Sequence, residues 1–182
     1  MGRDNSVQKL YRQWANAIKY RHNPRHTEEE LKFLQKYLSD WERALYNQMG
    51  TIDQRHALDV ASTVKKDPRI TNEEERTLLI RAALLHDIGK VKGDFTIWQR
   101  VMVKLIYMFF PNYRKKLLVD GEKSKRGTLQ KAVYVQDVHS KRGAHMLCLG
   151  GADQELVQLV KNHHSIPRSR LERCLLDADN LN

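Results

Sequence analysis

Eight histidines are spread through this chain, and the positions of six matter more than their number. His22 and His26 sit in an N-terminal break. His56, His86, His139, His145, His163 and His164 fall in a region of helical patterning. His86-Asp87 and His163-His164 each close a predicted helix, and His139 opens one. Helix ends and their adjoining loops can converge on one cavity. Neutral imidazole with carboxylate is the ligand set of borderline divalent metals such as Mn, Fe, Co, Ni or Zn, and a poor calcium site. In LLIRAALLHDIGKV an apolar helix delivers His86 and Asp87 together to its C-terminal end. A carboxylate buried there without a counter-charge is costly, and a divalent cation supplies one.

The elements that must position these residues read as helices almost throughout. Val7, Leu10, Trp14 and Ile18 predict a first helix over Asn5 to Tyr20. After a break at His22-Asn23-Pro24, Thr27 and Glu30 form a capping box. Leu31, Leu34, Leu38, Trp41 and Leu45 then mark one continuous helix that Gly50 stops. A third helix is expected over Gln54 to Lys65, ended by Asp67-Pro68. Thr71 and Glu74 suggest a second capping box, opening the helix that ends at His86-Asp87-Ile88-Gly89 with Gly89 as its C-cap. Further helices are expected over Val138 to Leu149, Asp153 to His164 and Ser169 to the end. Val133 to Val138 is the only short strand candidate. The fold class is therefore all-α, with an N-terminal helical extension over 1–50 and the histidine-bearing domain over 51–182.

Charge separates one stretch from the rest. The chain carries a net charge of +10, and Lys92 to Arg142 holds twelve Lys/Arg against four Asp/Glu. A basic, apolar insert over about 92–138 follows. Its TIWQRVMVKLIYMFFPNYRKK run reads either as a core helix under a basic loop or as an interfacial helix with Trp98, Phe109 and Phe110 inserted in a membrane. Ile97 to Phe110 is too short for a spanning helix, which needs about 20 residues. A basic surface favours anionic partners, but no nucleic-acid-binding module is recognisable, which makes nucleic acid an unlikely partner. Cys148 and Cys174 lack ligand spacing and read as reduced, buried thiols. MGRDNSVQKL has no apolar leader, so a cytoplasmic protein, membrane-peripheral at most, is expected.

The string LLHDIGK, from Leu84 to Lys90, resembles the HDIG form of the HD superfamily signature. RHALDVA, from Arg55, is similar to the family's first metal-binding helix. HSKRGAHML, from His139, resembles its His-three-residues-Gly element. LVKNHHS, from Leu159, is similar to its paired-histidine helix end, and DADNL, from Asp177, to its terminal Asp motif. The resemblance implies a helical bundle whose basic metal site uses His56, His86, Asp87 and Asp179. A second ion would add His139, His163 and His164, with Asp87 bridging. It implies one or two divalent metals (Mn, Fe, Co, Ni, Zn or Mg) activating water against a phosphate ester or phosphoanhydride of a small phosphorylated substrate, a nucleotide foremost. Lys90 matches the signature lysine and could reach a phosphate oxygen. Of Asp177 and Asp179, only one can point at a common centre, and Asp179 is the match; so near the end of the sequence, it needs packing or a partner copy in a homo-oligomer to hold it. His145 matches no ligand and reads as structural; Arg168 and Arg170 read as a solvated face. No Gly-Tyr-Pro follows His164, which speaks against the cyclic-di-GMP phosphodiesterase branch. The alternative is a non-catalytic module of the same fold, docking on an anionic membrane or a protein through its insert.

Overall fold

The computed structural model describes residues 26–182, so the expected helix over Asn5 to Tyr20, and His22, lie outside the described residues. Among the described residues nine helices follow one another: α1 (Glu28–Tyr37), α2 (Asp40–Gln48), α3 (Thr51–Lys65), α4 (Glu73–Leu85), α5 (Ile97–Phe109), α6 (Pro111–Gly121), α7 (Leu129–Leu149), α8 (Gln154–Asn162) and α9 (Arg170–Leu181). Among the described residues the only β pairing is an isolated bridge, Met49 to Val91. The strand candidate at Val133 to Val138 lies inside α7.

Thr27 and Glu30 do form the capping box of α1. The helix expected to run on to Gly50 breaks instead at Leu38, which turns extended. The apolar periodicity continues across the break, so the pattern alone hides it. The break is stabilised by Glu42, whose Oε2 accepts from the Ser39 backbone N–H (2.9 Å) and hydroxyl (2.7 Å) while Arg81 neutralises Oε1 at 2.8 Å. The second expected capping box is also corrected. Asn72, not Thr71, caps α4, its Oδ1 accepting from Glu74 N at 2.7 Å.

α4 sits at the centre because its second half, Leu79, Ile80 and Ala82 to Leu85, is buried on every side. It packs most extensively on α3, and also on α8 and α9. Leu147, Leu156, Leu159, Val160, Leu171 and Leu175 complete that core. The insert builds a smaller second core, in which Val103 and Ile106 of α5 meet Leu117 of α6 and Ala132 and Val133 of α7. Burying each of these larger side chains contributes roughly 1.5–3 kcal/mol at most. The insert is thus a helical hairpin packed on the long α7, with Arg114, Lys115 and Lys116 in α6 and Lys123, Lys125 and Arg126 in the loop that leads into α7.

α7 starts nine residues before the expected Val138, so His139 lies mid-helix rather than opening one. The glycine of the His86–Gly89 turn is not a left-handed cap: positive φ occurs at Gly93, Gly127 and Gly151, not at Gly89. It is required for close approach. A Cβ on Gly89 would lie 2.0 Å from the His139 carbonyl oxygen, and one on Gly143 would lie 3.2 Å from Ile88 Cγ1 and 3.3 Å from Gly89 N. The two glycines let α7 approach the turn closely, tightly at Gly89 and with little room to spare at Gly143, one helical turn after His139. Of the two cysteines, Cys174 is buried but Cys148 is exposed, on the outer side of α7. His145 is exposed as well.

Candidate metal centre

Five elements bring seven residues together. α3 supplies His56. The turn after α4 supplies His86 and Asp87, mid-α7 supplies His139, the end of α8 supplies His163 and His164, and α9 supplies Asp179. Possible ligand atoms of three triads lie within 4.8 Å of one another: His56, His86 and Asp179; His86, Asp87 and His163; and His139, His163 and His164. Asp87 stands between the outer two, its Oδ1 3.3 Å from His139 Nε2 and 3.9 Å from His163 Nε2, and its Oδ2 3.6 Å from His86 Nε2.

Three of the rings are held in one way. Nδ1 of His86 donates to Ala83 O (2.8 Å), Nδ1 of His139 to Gln136 O (2.8 Å) and Nδ1 of His163 to Val160 O (2.6 Å). A carbonyl only accepts, so each Nδ1 carries the proton and each neutral ring aims a bare Nε2 inward. His139 Nε2 and His163 Nε2 then face each other at 3.3 Å with no proton between them. His86 Nε2 and Asp87 Oδ1 are buried without a hydrogen-bond partner. Converging, unprotonated acceptors repel and cost free energy unless a cation sits among them. The donor set and these orphaned atoms fit a borderline divalent metal.

Electrostatics keep the groups in ligating form. Burial, then Lys90, lowers His139, and burial with the neighbouring His164, His86 and His139 holds His163 well below the ordinary imidazole value. Burial, then His139, also lowers His164, although 44% of its side chain is exposed at the open rim of the cluster. Burial pushes Asp87 up, yet Lys90, His86 and His139 together hold it well below the usual carboxylate range. Burial likewise pushes Asp179 up, yet a 2.9 Å contact with His56, and the neighbouring His86 and His164 rings, hold it well below the usual carboxylate range.

A pH prediction follows for protein stripped of metal. The three histidines have folded pKa values below the 6.5 of the unfolded chain, so the unfolded state binds protons first. Their contribution to stability is complete above pH 6.5 and falls as the pH drops below it. The contribution of Asp87 and Asp179 persists until the pH falls below 3.8. Urea midpoints should therefore decline from pH 7 to pH 5; a flat profile there contradicts the assignment.

Lys90 turns back onto the site, with Nζ 2.8 Å from both oxygens of Asp87 and its hydrogen bond to Oδ2. Asp177 faces away and pairs with the exposed Arg69 at 2.6 Å. Arg170 bonds Glu75 and Arg69 O, away from the cluster. Around the site lie residues that the sequence reading misses. Arg100 of α5 makes two 2.6 Å bonds to buried Asp53, one turn before His56. Buried Asp94 takes the Val91 N–H at 2.9 Å, Arg142 at 3.2 Å and Arg126 at 3.3 Å. The one signal for this bracing is Arg100 itself, one of two charges, with Lys104, inside a mostly apolar run.

The family model described as HD domain matches residues 53–182. The chain belongs to the HD domain family. That family is one of metal-dependent phosphohydrolases with an all-α fold, and the His/Asp clusters of this HD protein are compatible with its metal site. A search of curated proteins and one of solved structures each return no match. No helix among the described residues is long and apolar enough to cross a membrane.

The two C-terminal aspartates separate in a simple test. Asp179→Asn in this HD protein should weaken metal binding by at least about ten-fold, since it removes a charged candidate ligand. Asp177→Asn should leave the dissociation constant within about two-fold, losing only an exposed ion pair. Metal titration of both variants reads the difference. Equal effects would refute the assignment of Asp179.

Proposed function

We propose that this HD protein hydrolyses a phosphate ester or phosphoanhydride of a small phosphorylated compound, a nucleotide foremost, using one or two divalent ions. His56, His86, Asp87 and Asp179 would hold one ion; His139, His163 and His164, with Asp87 shared, would hold the second. The observation that supports this most is the set of bare Nε2 atoms of His86, His139 and His163 converging on the buried Asp87 carboxylate, His86 toward Oδ2 and the other two toward Oδ1. Divalent ions bound there would acidify an attacking water and neutralise charge developing on the phosphoryl oxygens.

The chain's own residues set the rest. The three carbonyl bonds fix the ring tautomers, so little reorganisation is needed on binding. Asp87 remains an anion, held so by Lys90 and its histidine neighbours, and both of its oxygens stay available to cations. Lys90 places an ammonium group beside Asp87 and would draw a phosphate oxygen toward it. His164 stands at the exposed rim, where substrate arrives.

The test is a metal analysis of protein purified without chelator, followed by a panel of phosphate esters and nucleotides. The expected result is bound metal and turnover that chelation abolishes and a divalent salt restores. Protein that binds metal but turns over nothing above the Asp87→Ala variant would sink the enzyme reading.

A further inference from the structure

The exposed large apolar side chains of the described residues concentrate on the insert, where Trp98 is 79% exposed, Phe109 53% and Phe110 57%. Trp98, Met102, Leu105 and Phe109 recur at helical spacing, so they share one face of α5. The adjoining side carries Val103 and Ile106 into the second core. The stripe is therefore not spare core surface, because α5 already buries a face and presents a second. At the corner into α6 it runs into Phe110 and Tyr113. Lys115 and Lys116 follow on α6, and Lys123 and Lys125 in the loop after it, beyond the exposed Asp120 and Glu122; all four lysines are exposed and none has an ionic partner among the described residues.

Charge decides between occupants. A second copy of the chain would set this same cationic surface against itself, which repels at close range. A surface that is anionic and also accepts apolar side chains satisfies both features. Nucleic acid would use the lysines but leave Met102, Leu105 and Met108 unaccounted for, whereas an acyl-chain boundary takes them in. We propose that the α5–α6 corner is a docking surface for an anionic lipid bilayer, lying in the interface with the aromatic and aliphatic stripe inserted and the lysines at the headgroups. Arg100, on the same helix, is bonded to Asp53, so the docked helix is braced against α3, which carries His56. This inference is independent of the chemistry assigned to the metal centre.

Vesicle flotation of the full chain tests it. Phosphatidylcholine vesicles are compared with vesicles in which about a third of the lipid is phosphatidylglycerol. Binding is expected to the anionic vesicles alone and to weaken as salt is raised. Phe109→Ser with Phe110→Ser should abolish it. Lys115→Glu or Lys116→Glu should each weaken it by about five-fold or more, the equivalent of about 1 kcal/mol per lysine at such a surface. These side chains are exposed, so helicity by circular dichroism should stay unchanged, and the lysine variants report even if the phenylalanine pair fails to fold. No binding, equal binding to both vesicles, or binding that survives the lysine variants overturns the proposal. So does a dimer in solution that the Phe109/Phe110 variant disperses, or a salt-sensitive shift of single-stranded RNA without vesicle binding.

Discussion

Asp87→Asn should lower turnover by on the order of 10³-fold or more while leaving the helices in place. Asn matches Asp in volume, so packing around the 2%-exposed side chain is undisturbed. What changes is charge and direction. The carboxylate has acceptor oxygens facing the bare Nε2 atoms of His139 and His86. The amide has one such oxygen and a donor NH₂, and no charge to hold a cation. The change also strands the Lys90 ammonium, whose side chain is only 12% exposed and whose anion lies 2.8 Å away. Bound metal should fall as well, because Asp87 is shared between the two proposed ion sites. Lys90→Met should be milder, about 10–100-fold and mostly in KM, since it removes a phosphate-attracting charge and keeps the ligand set. Steady-state kinetics with metal analysis on both variants checks this. An Asn variant within ten-fold of the parent, fully metal-loaded, would contradict the roles assigned to the cluster.

Gly89→Ala should destabilise the protein by about 3 kcal/mol or more, at the upper end of what overpacking does. The new Cβ would meet only backbone: His139 O at 2.0 Å, its carbonyl carbon at 2.7 Å and its Cα at 2.9 Å. No side chain can rotate away. To reach even 3.0 Å, α7 or the turn must move by about 1 Å. Such a shift carries His139 away from His163 and Asp87, so metal affinity should fall with stability. Gly127→Ala is the control. It has a left-handed φ of +88° but nothing within 4 Å of its Cβ, so its cost is the strain alone, about 1–2 kcal/mol. Urea unfolding of the two variants separates a steric lock from simple backbone freedom. A Gly89→Ala protein as stable as Gly127→Ala would show that the close approach is not required.

The helical character and the capping box at Thr27 were legible in the linear sequence, because each rests on local features; the candidate ligand set came from the ordered resemblance to the HD family, the histidines at predicted helix ends pointing only to a shared cavity. Helical periodicity, a hydroxyl three residues before a glutamate, and histidines at helix ends are short-range signals. Where competing signals overlapped, the linear reading slipped. The apolar stripe ran unbroken through Leu38, and only the Glu42 contacts with Ser39 and Arg81 decide that the chain breaks there. Gly89 looked like a cap because a glycine ending a helix usually is one. Its true constraint, the His139 backbone fifty residues away, has no local trace. Likewise, the choice of Asp179 over Asp177 depends on which side of α9 meets His56. The pairing of Arg100 with Asp53, and the insert's own small core, exist only once the helices are packed. Residue types in order determine which chemistry is available; the distances, tautomers and buried unpaired atoms that make it a site arise from long-range packing, which no window of sequence contains.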